Sequence, residues 1–144
     1  RQRQMCIRDS STGRAAAIVA NKRHWRGLGM DLENLLSHER AERLAGEILT
    51  PAELQRMAAG SQEQLALRVT LTFSVKESLF KALYPIVQQR FYFEHAEVLQ
   101  WTEAGQVRLR LLTDLSSEWR NGSELEAQFG VQDGQLLSLV SIQA

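Results

Sequence analysis

The last third of the chain alternates apolar and polar residues with a period of two, which is typical of β-strands with one buried face. The alternation is clear in residues 107–111 and again in residues 125–131. Asp133 and Gly134 then form a two-residue hairpin signal before the apolar segment 136–142. These segments predict an antiparallel sheet at the end of the chain.

The segment before this sheet carries two helix starts. Ser37 precedes an amphipathic stretch that ends near Ile48, and we expect Ser37 to be its N-cap. Thr50, Pro51 and Glu53 then combine an N-cap, a proline at the first helical position and an acid at the third. Two consecutive helices are therefore predicted.

A longer helix is predicted over residues 62–84, with Ser61 as its N-cap. The β-branched and aromatic residues in 69–75 lower helix propensity, so a strand there remains an alternative. Pro85 disfavours a helical conformation at the preceding residue and is expected to end or kink the helix.

Two strands are expected near the start of the chain, a buried one within residues 12–20 and a second in residues 28–32. Together with the C-terminal alternation they predict an α+β fold. In this fold an antiparallel sheet packs against a long central helix, with the helices on one face.

Size and charge exclude several classes of protein. The chain has 144 residues, which suits one domain, and its 17 basic and 17 acidic side chains balance. Zero net charge argues against a general nucleic-acid binder, and no apolar run approaches the ~20 residues of a membrane span. One cysteine, Cys6, cannot form an internal disulfide, so a reducing cytoplasm is the expected location.

Carboxylates near the second strand and on the long helix suggest a metal site. Asp31 and Glu33 share one side of a strand end, and two such charges are costly unless water or a cation neutralises them. Glu77 and Lys81 lie one helical turn apart, with Lys76 beside them. Three carboxylates offer the oxygen ligands that Mg²⁺ prefers. The alternative is a solvated helix face with a Glu–Lys pair.

Two segments carry a family resemblance. Residues 29–33 read Gly-Met-Asp-Leu-Glu, and residues 73–81 read Phe-Ser-Val-Lys-Glu-Ser-Leu-Phe-Lys. They resemble the GxDxE and [FW]xxKExxxK motifs of the 4'-phosphopantetheinyl transferase superfamily, in its surfactin/enterobactin-type branch. The resemblance covers the C-terminal portion of that two-lobed fold.

The resemblance implies transfer of 4'-phosphopantetheine from coenzyme A to a serine of an apo acyl, peptidyl or aryl carrier protein. It implies dependence on Mg²⁺ or Mn²⁺ and a role in siderophore (enterobactin-like) or other polyketide or nonribosomal peptide biosynthesis. It also implies that Asp31, Glu33 and Glu77 are the metal ligands, and that Lys76 and Lys81 contact phosphate groups. Lys81 is further expected to pair with Glu77.

A general base is also required, and Glu77 is the first candidate, with Glu53 second. The capping box explains Glu53 by itself. In the resembling family, however, a glutamate of this segment lies near the metal, so both roles stay open.

Residues 1–10 are hypothesised to be non-native, because their coding string matches the end of a transposase-based sequencing-library adapter. A natural basic tail is the alternative. Residues 11–144 are then the C-terminal domain of a transferase whose N-terminal half is missing. The family's Ser-x-[Ser/Thr]-His motif, whose histidine helps hold coenzyme A, falls at residues 8–10, which contain no histidine. We therefore expect this fragment alone to be inactive.

Two other functions are compatible with the same residues. One is a non-catalytic α+β binding module with solvated carboxylates, and the other is a metal-dependent phosphohydrolase that uses the same three acids. Arg108 and Arg110 share the solvent side of one predicted strand, where they are either simply solvated or dock an acidic carrier protein.

Overall fold

The structure is a computed structural model that describes residues 4–11 and 13–144, with side chains from residue 8 onward. Its strands are β1 (Gln4–Ser11), β2 (Arg14–Asn21), β3 (Trp25–Asn34), β4 (Ala96–Trp101), β5 (Gln106–Leu111), β6 (Glu124–Gln132) and β7 (Gln135–Gln143). Its α-helices are α1 (His38–Ile48), α2 (Pro51–Ala58) and α3 (Leu65–Val87), and short 3-10 turns span Gln62–Gln64 and Phe93–His95.

Five strands form one antiparallel sheet in the order β3-β7-β6-β5-β4, and β1 and β2 form a separate hairpin. The long helix α3 packs across the sheet, and the apolar side chains between them are fully buried, among them Leu71, Leu79, Leu109 and Leu136. This arrangement confirms the predicted α+β fold, with an antiparallel sheet against a long central helix. In the part of the chain that the structure describes, no helix is long and apolar enough to cross a membrane.

Two of the three predicted helix starts are confirmed. The third was wrong, because Ser61 caps the 3-10 turn Gln62–Gln64 and the long helix α3 begins only at Leu65. The Ser37 hydroxyl accepts a hydrogen bond from the Arg40 amide at 3.2 Å. At the next helix the Glu53 amide donates to Thr50 Oγ1 at 3.3 Å, and the Thr50 amide donates to Glu53 Oε1 at 2.7 Å. These bonds satisfy amide groups that a helix leaves without backbone partners, so the local sequence determines both starts.

Helix α3 is continuous through residues 69–75, which excludes the strand alternative. Pro85 does not end the helix, because α3 continues to Val87, and the alternative expectation of a kink at Pro85 stays a prediction. Gln88 then ends it in the left-handed conformation, and its amide donates to Tyr84 O at 2.8 Å. Pro85 lies exposed in the last turn, where water can bond to the carbonyl that loses its partner.

The strand predicted within residues 12–20 is present as β2, but the expectation that it is buried was wrong. All of its residues are exposed or half-buried, and Val19 is 55% exposed, because β2 pairs with β1 in the small hairpin. Thr12 and residues 1–3 lie outside the described residues. The hypothesis that residues 1–10 are non-native stays a prediction.

Strand β3 lies unusually close to α3. A Cβ atom built on Gly29 would lie 1.8 Å from the backbone oxygen of Ser78, and one on Gly27 would lie 2.5 Å from that of Ala82. A side chain at either glycine would therefore push the helix away from the strand. This close approach of backbones holds the middle of α3 against the end of β3.

Candidate active site

The contact between β3 and α3 brings the predicted site residues together. Lys81 Nζ, from the helix, donates to Asp31 Oδ1 at 3.1 Å and to the carbonyl of Met30 at 3.0 Å. The charge of Asp31 also acts on the carboxyl groups of Glu33 and Glu77. Four of the five residues predicted from the two sequence motifs, all except Lys76, thus lie in one region of the structure.

The carboxyl groups crowd one another. Burial raises the pKa of Glu33 to about 7, and the neighbouring carboxylates of Asp31, Asp9 and Glu77 add to this shift. Burial also raises the pKa of Glu77, with a further contribution from Asp31, while Lys81 opposes it. Four acids face one lysine here, so the cluster favours either bound protons or an additional cation.

Asp31 is the most buried member of the cluster, with 4% of its surface exposed. Burial raises the pKa of its carboxyl group, although the nearby Ser74 hydroxyl and the Lys81 ammonium group oppose the shift. Its Oδ1 atom accepts from Lys81, whereas its buried Oδ2 atom has no hydrogen-bond partner among the described residues. A buried oxygen without a partner is costly, which makes Oδ2 a candidate ligand atom.

Lys81 has different partners from those expected. Its ammonium group forms ion pairs with Asp31 and, at 3.4 Å, with Asp9 Oδ2, instead of with Glu77. Burial opposes the charge, but the two carboxylates raise the pKa of Lys81 above its ordinary value. Because the side chain is 37% exposed, the ammonium group remains accessible to a ligand.

Asp9 is the member of the site that the sequence did not reveal. Its Oδ2 atom accepts a hydrogen bond from the Leu32 amide at 2.8 Å. Burial would raise its pKa, but the Leu32 amide and Lys81 hold the pKa below its ordinary value. Asp9 lies in the segment hypothesised to be non-native, so no motif pointed to it.

The chemistry of this donor set fits a hard divalent cation. The donors are oxygen atoms, their charges repel one another, and one buried oxygen lacks a partner. Their geometry is not that of a closed site, because the described residues contain no group of three or more acid, histidine or cysteine side chains spaced to hold a metal ion. Asp31, Glu33 and Glu77 are therefore not already arranged around one ion in this structure.

Lys76 lies in the protein interior, on another side of α3 from Lys81. Its Nζ atom is completely buried and donates to Glu53 Oε1 at 2.8 Å, and to the carbonyls of Ile48 and Phe93 at 2.9 Å each. Burial lowers the pKa of Lys76, and the Glu53 carboxylate opposes this shift. All three donor positions are used, so the contacts do not support the predicted phosphate contact, which stays a prediction.

Glu53 is occupied by structural contacts. Besides capping α2 and pairing with Lys76, its Oε2 atom accepts from the Val98 amide at 2.6 Å. Arg56, one turn further along α2, donates to the Val98 carbonyl at 2.7 Å. The two side chains thus bond to both backbone groups of one residue of the outer strand β4. These contacts support the capping role of Glu53 and give no support for a role as general base.

A cavity lies away from the carboxylate cluster, on the opposite face of the sheet. Its volume is about 700 Å³, and its lining includes Trp119, Arg108 and Glu124 but none of the predicted site residues. Arg108 and Arg110 lie within 4 Å of Glu124, at 3.9 and 3.8 Å. Because these cations are partly neutralised within the chain, they give little support to docking of an acidic partner. The acidic residues that the motifs predict lie at the carboxylate cluster and not at this cavity.

Comparison with known proteins identifies the same family that the two sequence motifs resemble. The profile of the 4'-phosphopantetheinyl transferase superfamily matches residues 27–139. The chain is 36% identical over 95 residues to enterobactin synthase component D of Escherichia coli strain K12, and equally to those of Escherichia coli O157:H7 and Shigella flexneri. The match covers 65% of this chain and 43% of each relative, so the chain spans less than half of their length.

Solved structures share the fold. A holo-ACP synthase from Plasmodium yoelii superposes with a TM-score of 0.61 at 16% identity, covering 84% of this chain and 96% of that one. A holo-(acyl-carrier-protein) synthase from Bacillus anthracis, solved in complex with CoA (3',5'-ADP), superposes with a TM-score of 0.55 at 16% identity, covering 84% and 98%.

The family match includes both sequence motifs and the elements that carry them. It begins in β3, before Asp31 and Glu33, runs through α3 with Glu77, and ends within β7. Because the matched residues make up most of the 144-residue sequence, the chain belongs to the 4'-phosphopantetheinyl transferase superfamily.

Proposed function

We propose that this chain provides the metal-binding part of an enzyme that transfers 4'-phosphopantetheine from coenzyme A to a serine of an apo carrier protein. The observation that carries the proposal is the convergence of β3 and α3. Asp31, Glu33, Glu77 and Lys81 come from separate motifs of the family and meet at one cluster. The solved relative in complex with CoA (3',5'-ADP) supports coenzyme A as the substrate.

Glu77 is proposed as the general base. The serine hydroxyl of the carrier protein attacks the phosphorus atom that bears the pantetheine arm, and the bond to the bridging oxygen breaks. Adenosine 3',5'-bisphosphate leaves, and the serine proton passes to a base. In the metal-free chain, burial and the Asp31 charge raise the pKa of Glu77, which favours proton transfer to its carboxylate.

Lys81 is proposed to hold a phosphate group of coenzyme A. Its ammonium group is charged, partly exposed and fixed beside Asp31 by two hydrogen bonds of 3.0 and 3.1 Å. An ammonium group in this position offsets the repulsion between the carboxylate cluster and an incoming diphosphate.

Asp31, Glu33 and Glu77 are proposed to hold Mg²⁺ or Mn²⁺. Such an ion would neutralise the diphosphate and stabilise the charge that develops during transfer. The unpartnered Oδ2 atom of Asp31 and the raised pKa of Glu33 both support a cation at this cluster.

The pathway is proposed from the relatives. Their name, enterobactin synthase component D, favours a carrier protein of siderophore (enterobactin-like) biosynthesis. The cytoplasmic location expected from the sequence is part of the same proposal. Because the chain spans 43% of their length, we propose that it has little or no transferase activity by itself.

The decisive experiment incubates the chain, restored to the length of its curated relatives, with coenzyme A, Mg²⁺ and an apo carrier protein. The carrier is then weighed by mass spectrometry. We expect one phosphopantetheine group to be added, and we expect Asp31→Ala or Glu77→Ala to reduce the rate by about 100-fold or more. Glu126→Ala is the matched control, since this glutamate is exposed on the far face of the sheet.

Normal turnover in Asp31→Ala or Glu77→Ala would refute the proposed site. A metal-dependent phosphohydrolase would consume coenzyme A and leave the mass of the carrier unchanged. A non-catalytic binding module would do neither, and its tryptophan fluorescence would not respond to Mg²⁺ or Mn²⁺.

A further inference from the structure

Three serine side chains, those of Ser74, Ser78 and Ser138, lie completely buried between α3 and β7. Ser138 Oγ lies 2.8 Å from Ser74 Oγ and 2.7 Å from Ser78 Oγ. Ser74 Oγ also donates to the backbone carbonyl of Asp31 at 3.4 Å. We call these three residues the serine cluster.

The hydroxyl groups of the serine cluster can form one directed chain. Each serine has one proton, so Ser78 can donate to Ser138, Ser138 to Ser74, and Ser74 to the carbonyl of Asp31. Every donor is then satisfied, and the chain links α3 to β7 and to β3. Buried hydroxyl groups stabilise a structure only when they are paired in this way.

The serine cluster lies next to the carboxylate cluster. Ser138 pairs with Asp31 across the β3–β7 ladder, so the two side chains point to the same face of the sheet. On the helix, Ser74 and Ser78 are each three residues before a site residue, Glu77 and Lys81 respectively, so they occupy the same side of α3.

We propose, resting on the function above, that Ser138 and Ser74 are positioning residues for Asp31 and, through Asp31, for Lys81. Small hydroxyl side chains let α3 approach β7, and their hydrogen bonds fix the position of Asp31 relative to the helix. Alanine would fit the same space but would not make the bonds. If the serines served only in packing, their replacement by alanine would leave the position and accessibility of Lys81 unchanged.

The three lysines of the chain provide the measurement. Lys22 is exposed, Lys81 is partly exposed and hydrogen-bonded to Asp31, and Lys76 is fully buried. The folded 144-residue chain is treated briefly with an amine-acetylating reagent, and labelling at each lysine is quantified by mass spectrometry. The ratio of Lys81 to Lys22 labelling reports how firmly Lys81 is held, and protection of Lys76 reports that the variant is folded.

We expect Ser138→Ala and Ser74→Ala to raise the Lys81 to Lys22 ratio several-fold while Lys76 stays protected. Ser141→Ala, an exposed serine on the other face of β7, should leave the ratio unchanged. If Ser138→Ala exposes Lys76 and so has unfolded, Ser74→Ala decides, because it removes the link to Asp31 and keeps the Ser78–Ser138 pair. A wild-type ratio in a folded Ser74→Ala variant overturns the proposal.

A second measurement separates this inference from the proposed function. Mn²⁺ affinity is determined by electron paramagnetic resonance for the same variants, and loss of positioning should weaken it by about tenfold. If the wild-type chain binds no Mn²⁺ while Lys81 labelling responds to Ser74→Ala, the metal site is refuted and the positioning role stands. If Mn²⁺ binds and both the labelling and the affinity are unchanged in Ser74→Ala, the positioning role is refuted.

Discussion

Replacement of Lys76 by methionine tests what the buried ion pair with Glu53 contributes to stability. In the structure the Lys76 ammonium group makes three hydrogen bonds of 2.8 to 2.9 Å and is inaccessible to water. Methionine fills a similar volume but leaves the Glu53 carboxylate, which is 5% exposed, without its counterion. Removing one partner of a buried ion pair typically costs about 3–5 kcal/mol.

The expected change is large enough to measure by thermal unfolding. In a domain of this size 1 kcal/mol corresponds to about 2–4 °C in Tm, so Lys76→Met should lower the Tm by about 6–20 °C. The double variant Lys76→Met with Glu53→Gln removes the unpaired charge as well and should recover part of the loss. Lys22→Met, at an exposed position, should change stability by no more than about 0.5 kcal/mol.

A Lys76→Met variant that unfolds within about 2 °C of the wild type would refute this reasoning. Weaker coenzyme A binding at an unchanged Tm would instead support the phosphate contact that the family motif implies. Lower Tm with unchanged coenzyme A affinity would assign Lys76 to the structure alone.

Three further predictions follow from single contacts. The pKa of Glu33 is about 7 in the folded chain, against an ordinary value of 4.5. The folded chain therefore holds this proton more tightly than the unfolded chain, which favours the folded, metal-free chain at low pH. That stability is lost as the pH rises from about 4.5 to 7, and Glu33→Gln should flatten this part of the Tm profile; an unchanged profile would contradict the assignment. Gly29→Ala should destabilise the chain to urea by about 1–3 kcal/mol, because its Cβ atom would collide with Ser78 O; wild-type stability would show that α3 can shift freely. Thr50→Ala should cost about 1 kcal/mol in the same assay through loss of the cap to the Glu53 amide, and no loss would mean that the cap is dispensable.

Local features of the fold were predictable because each depends on a few neighbouring residues. The caps at Ser37 and Thr50 form with amides three residues away, and both were identified from the sequence. The turn at Asp133 and Gly134 has positive φ angles of 51° and 75°, which suits the hairpin that these residue types favour. Three of the four carboxylates in the cluster, Asp31, Glu33 and Glu77, were identified from two short contiguous motifs, whereas Asp9 was not.

The sequence by itself thus determined the three α-helices and every strand except β1, with boundaries to within a few residues, and the two motifs that carry Asp31, Glu33 and Glu77. Only the tertiary structure decided that Lys76 is buried with Glu53 while Lys81 faces Asp31, although both lysines flank Glu77 on one helix. It also decided that β2 is exposed and that buried serines form hydrogen bonds between α3 and β7. The physical reason is that helical periodicity shows which residues of α3 share a face. It does not show which element packs against that face, because the contacting residues lie tens of positions away in the chain.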